Sequence, residues 1–174
     1  MSLSPIKWFT NGKLKLLAKN KGKIDRELLQ LFGWKGCYLW GVEYDIPPRT
    51  AGIYVYSHEW EKEFLYVGQT TNIRNRAFNK SHHKLSWIIK KFEDFPFAYY
   101  DQSNVDRDIY VYYKEVKEQY FNNSLKRSLI WCEALTIGLL KPEFQDDISD
   151  IYDFSTRTGV LRFEDNEDED EQNE

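Results

Sequence analysis

The chain has little that would anchor it in a membrane or cross-link it. No run of about eighteen apolar residues, the length a membrane-crossing helix needs, occurs anywhere in its 174 positions. The N-terminus lacks the ordered charged, apolar and small-residue regions of a secretory signal, so the expected location is intracellular and cytoplasmic. There are only two cysteines, Cys37 and Cys132. They stand far apart without metal-type spacing, which fits small buried hydrophobes in a reducing compartment better than a disulfide framework. No helix-turn-helix or zinc module offers itself as a reader of base sequence. Prolines number only five, so the adjacent Pro47 and Pro48 stand out. They stop any regular element and make residues 45 to 50 the expected seam between an N-terminal part and the main body.

What is present suffices for one core: 41% of residues are hydrophobic and 17% aromatic, enough for a single domain with decorated ends. The net charge of -4 hides an asymmetry, because eight of the eleven residues from Glu164 to Glu174 are acidic. Without those eight, 24 basic residues face 20 acidic ones, a surplus of four. The acidic tail has no apolar residue to bury and is expected to be disordered. At the other end, seven Lys or Arg occur in the first 26 residues against one acid, Asp25. That basic arm suits either solubility or phosphate contact.

Period-two alternation marks two strands in "GIYVYSHEWEKEFLYVGQTTNIRNR", residues 52 to 76. Ile53 and Val55 share one face of the first strand, and Leu65 and Val67 share one face of the second. Tyr54, Tyr56 and Tyr66 then collect on the opposite face of a hairpin, with Gly52 and Gly68 where the backbone needs freedom. Thr71 or Asn72 can cap a following helix that carries Arg74 and Arg76. A short helix is expected over Asp25 to Phe32, a strand in "CYLWGVEY" (37 to 44), and a helix with Leu85, Ile88, Ile89 and Phe92 at helical spacing. "FPFAYYD" (95 to 101) reads as a third strand, and Val105 to Tyr120 as a helix despite its "IYVYY". A further helix ends at Pro142.

Three features bear on chemistry. From Phe64 to Phe92 there is no acid, while Arg74, Arg76, Lys80, Lys84, Lys90 and Lys91 are basic. Such a basic, aromatic-studded surface is the footprint of a nucleic-acid binder, the alternative being a solvated helix face. Glu133 is the only charged residue in the thirteen positions from Ser128 to Leu140. A carboxylate held against apolar surface needs a cation, a hydrogen-bond network or a metal. The clustered tyrosines, taken alone, read as packing residues with satisfied hydroxyls.

Together these residues resemble the GIY-YIG nuclease family. Gly52-Ile53-Tyr54 matches the first signature and Tyr66-Val67-Gly68 the second. Arg76 lies eight residues after Gly68, where that family's arginine is expected, and Glu133 with Ile137, Pro142 and Phe144 resembles its closing helix and proline turn. The resemblance covers residues 48 to 145. Two positions depart from it: Gln145 stands where the family usually has Asn, and Lys80 where several members have His, with His82 and His83 only later.

The resemblance implies an α+β fold, a small three-stranded antiparallel sheet flanked by helices. Residues 1–47 form a basic arm, 48–145 the nuclease domain, 146–163 an extension and 164–174 the acidic tail. It further implies a Mg²⁺ (or Mn²⁺)-dependent endonuclease acting on DNA, restriction-like in its size and leading arm. Tyr54, Tyr66, Arg76 and Glu133 would form its catalytic set. Glu133 would hold the metal, Arg76 a phosphoryl oxygen, and Arg74, Lys80, Lys84, Lys90 and Lys91 the DNA backbone. A phenol titrates near pH ~10, so Tyr54 or Tyr66 needs a nearby cation to act as base; by resemblance Tyr54 is the base and Tyr66 orients it. Two other functions fit the same residues: a catalytically silent nucleic-acid-binding module, or a protein-interaction domain whose basic face meets an acidic protein. Whether one copy or a dimer acts is open.

Overall fold

The computed structural model describes residues 4–39, 46, 49–58, 64–78, 85, 88, 109–118 and 124–145. The chain divides into two compact units, Met1–Phe144 and Gln145–Glu174, and of the second only Gln145 is described. The expected acidic tail, the extension 146–163, the third strand at 95 to 101 and His82 and His83 therefore lie outside the described residues. No described helix is long and apolar enough to cross a membrane.

The first unit is α+β. Three short helices lead: α1 (Pro5–Thr10), α2 (Leu14–Lys19) and α3 (Arg26–Leu31). Ser4 caps α1 ahead of Pro5 at its first position, and Asp25 caps α3 by accepting from the Leu28 amide at 2.8 Å, both ordinary uses of those residues. Then follow β1 (Lys35–Tyr38), β2 (Gly52–His58), β3 (Phe64–Thr70), α4 (Ile73–Ala77), β4 (Ile109–Glu115) and α5 (Leu125–Leu140). The four strands form one antiparallel sheet in the order β1-β4-β2-β3.

Four strands replace the three expected among the described residues, and the added pairing comes from two places. Residues Lys35–Tyr38 extend along β4 at the sheet edge, slightly before the strand expected at 37 to 44. The segment around "IYVYY", expected as a helix, is β4, the inner strand between β1 and β2. Its charge pattern suggested a helix; its β-branched and aromatic side chains, packed on both faces of a central strand, decided the outcome.

The basic arm is not separate from the body. Trp8 and Phe9 of α1 are buried with Phe32 and Trp34, in edge-to-face contacts of 5.3 to 5.9 Å, each contributing about 0.5–1.5 kcal/mol beyond its area. The Trp8 indole donates to the Glu115 carbonyl at 2.9 Å, and the Lys114 ammonium donates to the carbonyls of Phe9 (3.2 Å) and Phe32 (2.7 Å) and to Asn11 Oδ1 (2.8 Å). These aromatic side chains thus form a core within the arm, and the Trp8 indole and a half-buried lysine of β4 tie it to the sheet, while Lys7, Lys13, Lys15, Lys19, Lys21 and Lys23 stay exposed.

Candidate functional site

β2 alternates as its sequence predicts, but both of its faces are buried from Gly52 to His58. Tyr54 and Tyr56 belong to a core cluster with Leu65, Ile73, Ala77, Leu85, Ile88 and Val111. The phenolic face is therefore covered by α4 and by Leu85 and Ile88. Leu65 does not share a face with Val67 in the way period two demands. Tyr56 pairs with Tyr66 and Ser57 with Phe64, which leaves Leu65 as the extra residue of a bulge and turns it into the tyrosine cluster.

The two glycines have a different job from the one expected. Both sit inside strands, and neither has a positive φ. Gly68 is the cross-strand partner of Tyr54, and a Cβ there would collide with the Tyr54 ring and hydroxyl. A Cβ on Gly52 would collide with the Lys114 carbonyl and the Ile73 side chain. Close approach, not backbone freedom, requires glycine at both positions.

α4 brings the arginine in. Asn72 caps it by accepting from the Asn75 amide at 3.2 Å, and the Ile73 amide donates to the Thr50 carbonyl at 2.8 Å, beside the start of β2. From this short helix Arg76 reaches the Tyr54 hydroxyl, which is also hydrogen-bonded to Tyr66. The three rings Tyr54, Tyr56 and Tyr66 lie with centroids 5.3 to 6.2 Å apart. Tyr54 is 1% exposed; Tyr66 is only half-buried.

Glu133 comes from α5, whose buried stripe includes Leu129, Ile130, Cys132, Thr136 and Ile137. The helix starts at the Ser124 cap, ends with Lys141 in the left-handed region (φ 47), and meets Pro142 just beyond. The chain then returns to β3, where the Glu143 and Phe144 amides donate to the Phe64 (2.9 Å) and Leu65 (2.8 Å) carbonyls. Both ends of α5 are thereby fixed, and Glu133 is carried into the interior at 3% exposure. Its Oε2 has no hydrogen-bond partner among the described residues.

Burial governs the charges. It pushes the Tyr54 phenol well above its usual range; the Arg76 charge pulls it back, the Glu133 charge pushes it further up, and the hydrogen bonds from Arg76 and Tyr66 favour the phenolate. The expected lowering by a neighbouring cation is real but smaller than the desolvation. Burial alone raises the Glu133 carboxyl from 4.5 to about 8, and raises the Cys132 thiol to about 12, an inert state for a thiol.

Of the four residues expected to act together, Tyr54 is hydrogen-bonded to Arg76 and Tyr66 and feels the charge of Glu133, whereas burial is what shifts Glu133 itself. Arg74 lies on the same short helix, half-buried; Lys80, Lys84, Lys90 and Lys91 lie outside the described residues. Among the described residues no group of three or more His, Cys, Asp or Glu side chains comes together. A cation at Glu133 would therefore take one carboxylate from the described chain and its other ligands from water and substrate oxygens, the habit of Mg²⁺. A buried carboxylate oxygen without a donor fits that demand, since an uncompensated charge there is costly. Tyr56, on the same tyrosine face but outside the catalytic set that the resemblance implies, is a packing residue with a satisfied hydroxyl as expected: it donates to the Ala77 carbonyl at 2.6 Å; which group satisfies it was not legible in the sequence. No family model, curated protein or solved structure matches the chain.

Proposed function

We propose that the chain is a Mg²⁺-dependent DNA endonuclease of the GIY-YIG type. One observation carries the reading: the buried Oε2 of Glu133 has no partner among the described residues, and its carboxylate lies within electrostatic reach of the hydroxyl that Arg76 and Tyr66 hold. Phosphodiester hydrolysis needs a positioned water, donors for the phosphoryl oxygens and help for the departing alkoxide. Mg²⁺ bound at Glu133 would supply Lewis-acid stabilisation of charge on the phosphate and leaving oxygens.

The protein's own groups divide the remaining work. Arg76 has five donors, so one can stay on Tyr54 while others meet a phosphoryl oxygen, a fork that lysine lacks. Tyr66 is the more accessible phenol and meets the attacking water. Tyr54, sealed behind it, fixes the Tyr66 hydroxyl and the arginine. This assignment reverses the roles that the resemblance alone implies, on the ground that a phenol 1% exposed cannot reach water without displacing its neighbours. The exposed lysines of α1, α2 and the turns beside them add phosphate contacts that need no base specificity.

The test is supercoiled plasmid incubated with the protein, with Mg²⁺ and with chelator, beside Arg76→Ala and Glu133→Ala. Nicking that needs Mg²⁺ and both side chains is the expected outcome. Absence of Mg²⁺-dependent nicking across many DNA sequences and structures would sink the nuclease reading, and salt-sensitive binding without cleavage would favour a silent nucleic-acid-binding module.

A further inference from the structure

A five-residue helix cannot hold itself in water, because nucleation costs more than one turn of hydrogen bonds returns. α4 is such a helix, yet it must present Arg76 at a fixed point. Its N-terminal end is secured twice, by the Asn72 cap and by the Ile73 amide on the Thr50 carbonyl. At its C-terminal end the last carbonyls have no partner within the helix. One of them, the carbonyl of Ala77, accepts the Tyr56 hydroxyl at 2.6 Å in a buried setting.

Ala77 immediately follows Arg76, so this bond clamps the peptide next to the arginine. The Tyr56 ring meanwhile stacks on Tyr66, with an interplanar angle of 24° and centroids 6.1 Å apart. Arg76 and Tyr66 both hydrogen-bond Tyr54. Tyr56 therefore touches the support of one and the ring of the other, while its own hydroxyl is engaged by backbone.

We propose that Tyr56 is a positioning residue of the nuclease site, holding Arg76 in register through the Ala77 carbonyl and Tyr66 through ring stacking. The proposal rests on the nuclease reading for its catalytic consequence. Its structural half stands on the hydrogen bond alone. Tyr56→Phe separates the two contacts, since it deletes the clamp on α4 and keeps the stacked ring.

In the full chain, Tyr56→Phe should lower kcat for plasmid nicking by about ten- to hundred-fold, the scale of a misplacement near 1 Å. KM and the metal-free DNA Kd should stay within about twofold of wild type. Asn72→Ala, which loosens the other end of α4 without touching a tyrosine, should give the same pattern and serves if Tyr56→Phe fails to fold. In either variant the Arg76 guanidinium proton resonance should lose its protection from solvent exchange. That resonance needs no turnover, so it reports on the clamp even if the wild type cleaves nothing, in which case the nuclease reading fails and the clamp does not. Unchanged kcat and an unchanged Arg76 resonance in Tyr56→Phe would overturn the proposal, as would a rise in KM with kcat intact.

Discussion

Glu133→Gln keeps the shape of the side chain and removes its charge, which makes the cost of burying that charge measurable. In the folded protein the carboxyl titrates at about 8, against 4.5 for a free side chain. Below pH 4.5 folded and unfolded chains both hold the proton, and the group adds no pH dependence. Between 4.5 and 8 the unfolded chain has released a proton that the folded chain keeps, so stability falls as pH rises. At pH 7 the accumulated loss is about 3 kcal/mol, levelling off near 5 kcal/mol above pH 8. Glutamine stays neutral throughout and escapes that loss. The figures are ceilings, since any water or backbone movement that reaches Oε2 reduces them. For a domain of this size they correspond to about 6–12 °C in Tm at pH 7. The assay is a set of thermal melts with chelator at intervals from pH 4 to 9. Wild type and Glu133→Gln should converge at the acid end and separate as pH rises, the variant melting higher. Added Mg²⁺ should raise the wild-type Tm at pH 8 and leave the variant where it was, because a ligand stabilises only the state that binds it. Parallel pH curves for the two proteins would refute the argument, showing that the carboxylate finds compensation in the fold.

Four further outcomes follow from other parts of the molecule. Gly68→Ala places a methyl group against the Tyr54 ring and should cost about 1–3 kcal/mol by overpacking; an unchanged urea midpoint would mean that the ring has room to move. Lys114→Met removes the donor shared by Phe9, Asn11 and Phe32, and hydrogen exchange in α1 and α3 should quicken while that of α5 stays slow; equal exchange would show that the aromatic contacts alone hold the arm. Lys15→Glu with Lys19→Glu, on exposed positions of α2, should weaken DNA binding and flatten its salt dependence by about 0.9 in log-log slope for each phosphate no longer neutralised, whereas truncation after Phe163 should tighten binding at low salt; the same affinity in all three proteins would place neither surface near DNA.

Some elements were legible because their signal is local. The cap at Asn72 lies three residues from the amide it accepts from, and the alternation of Ile53 to Tyr56 needs no partner to be read. β4 was not legible, since the same heptapeptide carries aromatic residues that suit a strand and a charge pattern that suits a helix, and only its place between β1 and β2 decides. The bulge at Leu65 is a matter of register against β2, which alternation within one strand cannot contain. The site divides the same way. Glu133 announced itself as a lone charge in an apolar stretch, but its partnerless oxygen and the Tyr56 bond to Ala77, across 21 positions of sequence, depend on how separate segments meet.

The burial of Tyr54 and Glu133 also sets the charge around them. Near pH 7 the Glu133 carboxyl, raised to about 8, largely keeps its proton, and Tyr54 is neutral. Arg76 is then the charge beside Tyr54, so on the nuclease reading a phosphate would meet a positive centre rather than a balanced ion pair. A cation arriving at Glu133 must displace that proton, which makes its affinity rise with pH up to about 8. A phosphate already on Arg76 would lower the cost by bringing further oxygens to the cation. Metal and DNA should accordingly bind with positive cooperativity, and by linkage each should raise the other's affinity by the same factor. Titrating Mg²⁺ against DNA binding at pH 6.5 and 8 measures that factor directly; equal Mg²⁺ affinities with and without DNA would mean that Glu133 and Arg76 do not serve one phosphate.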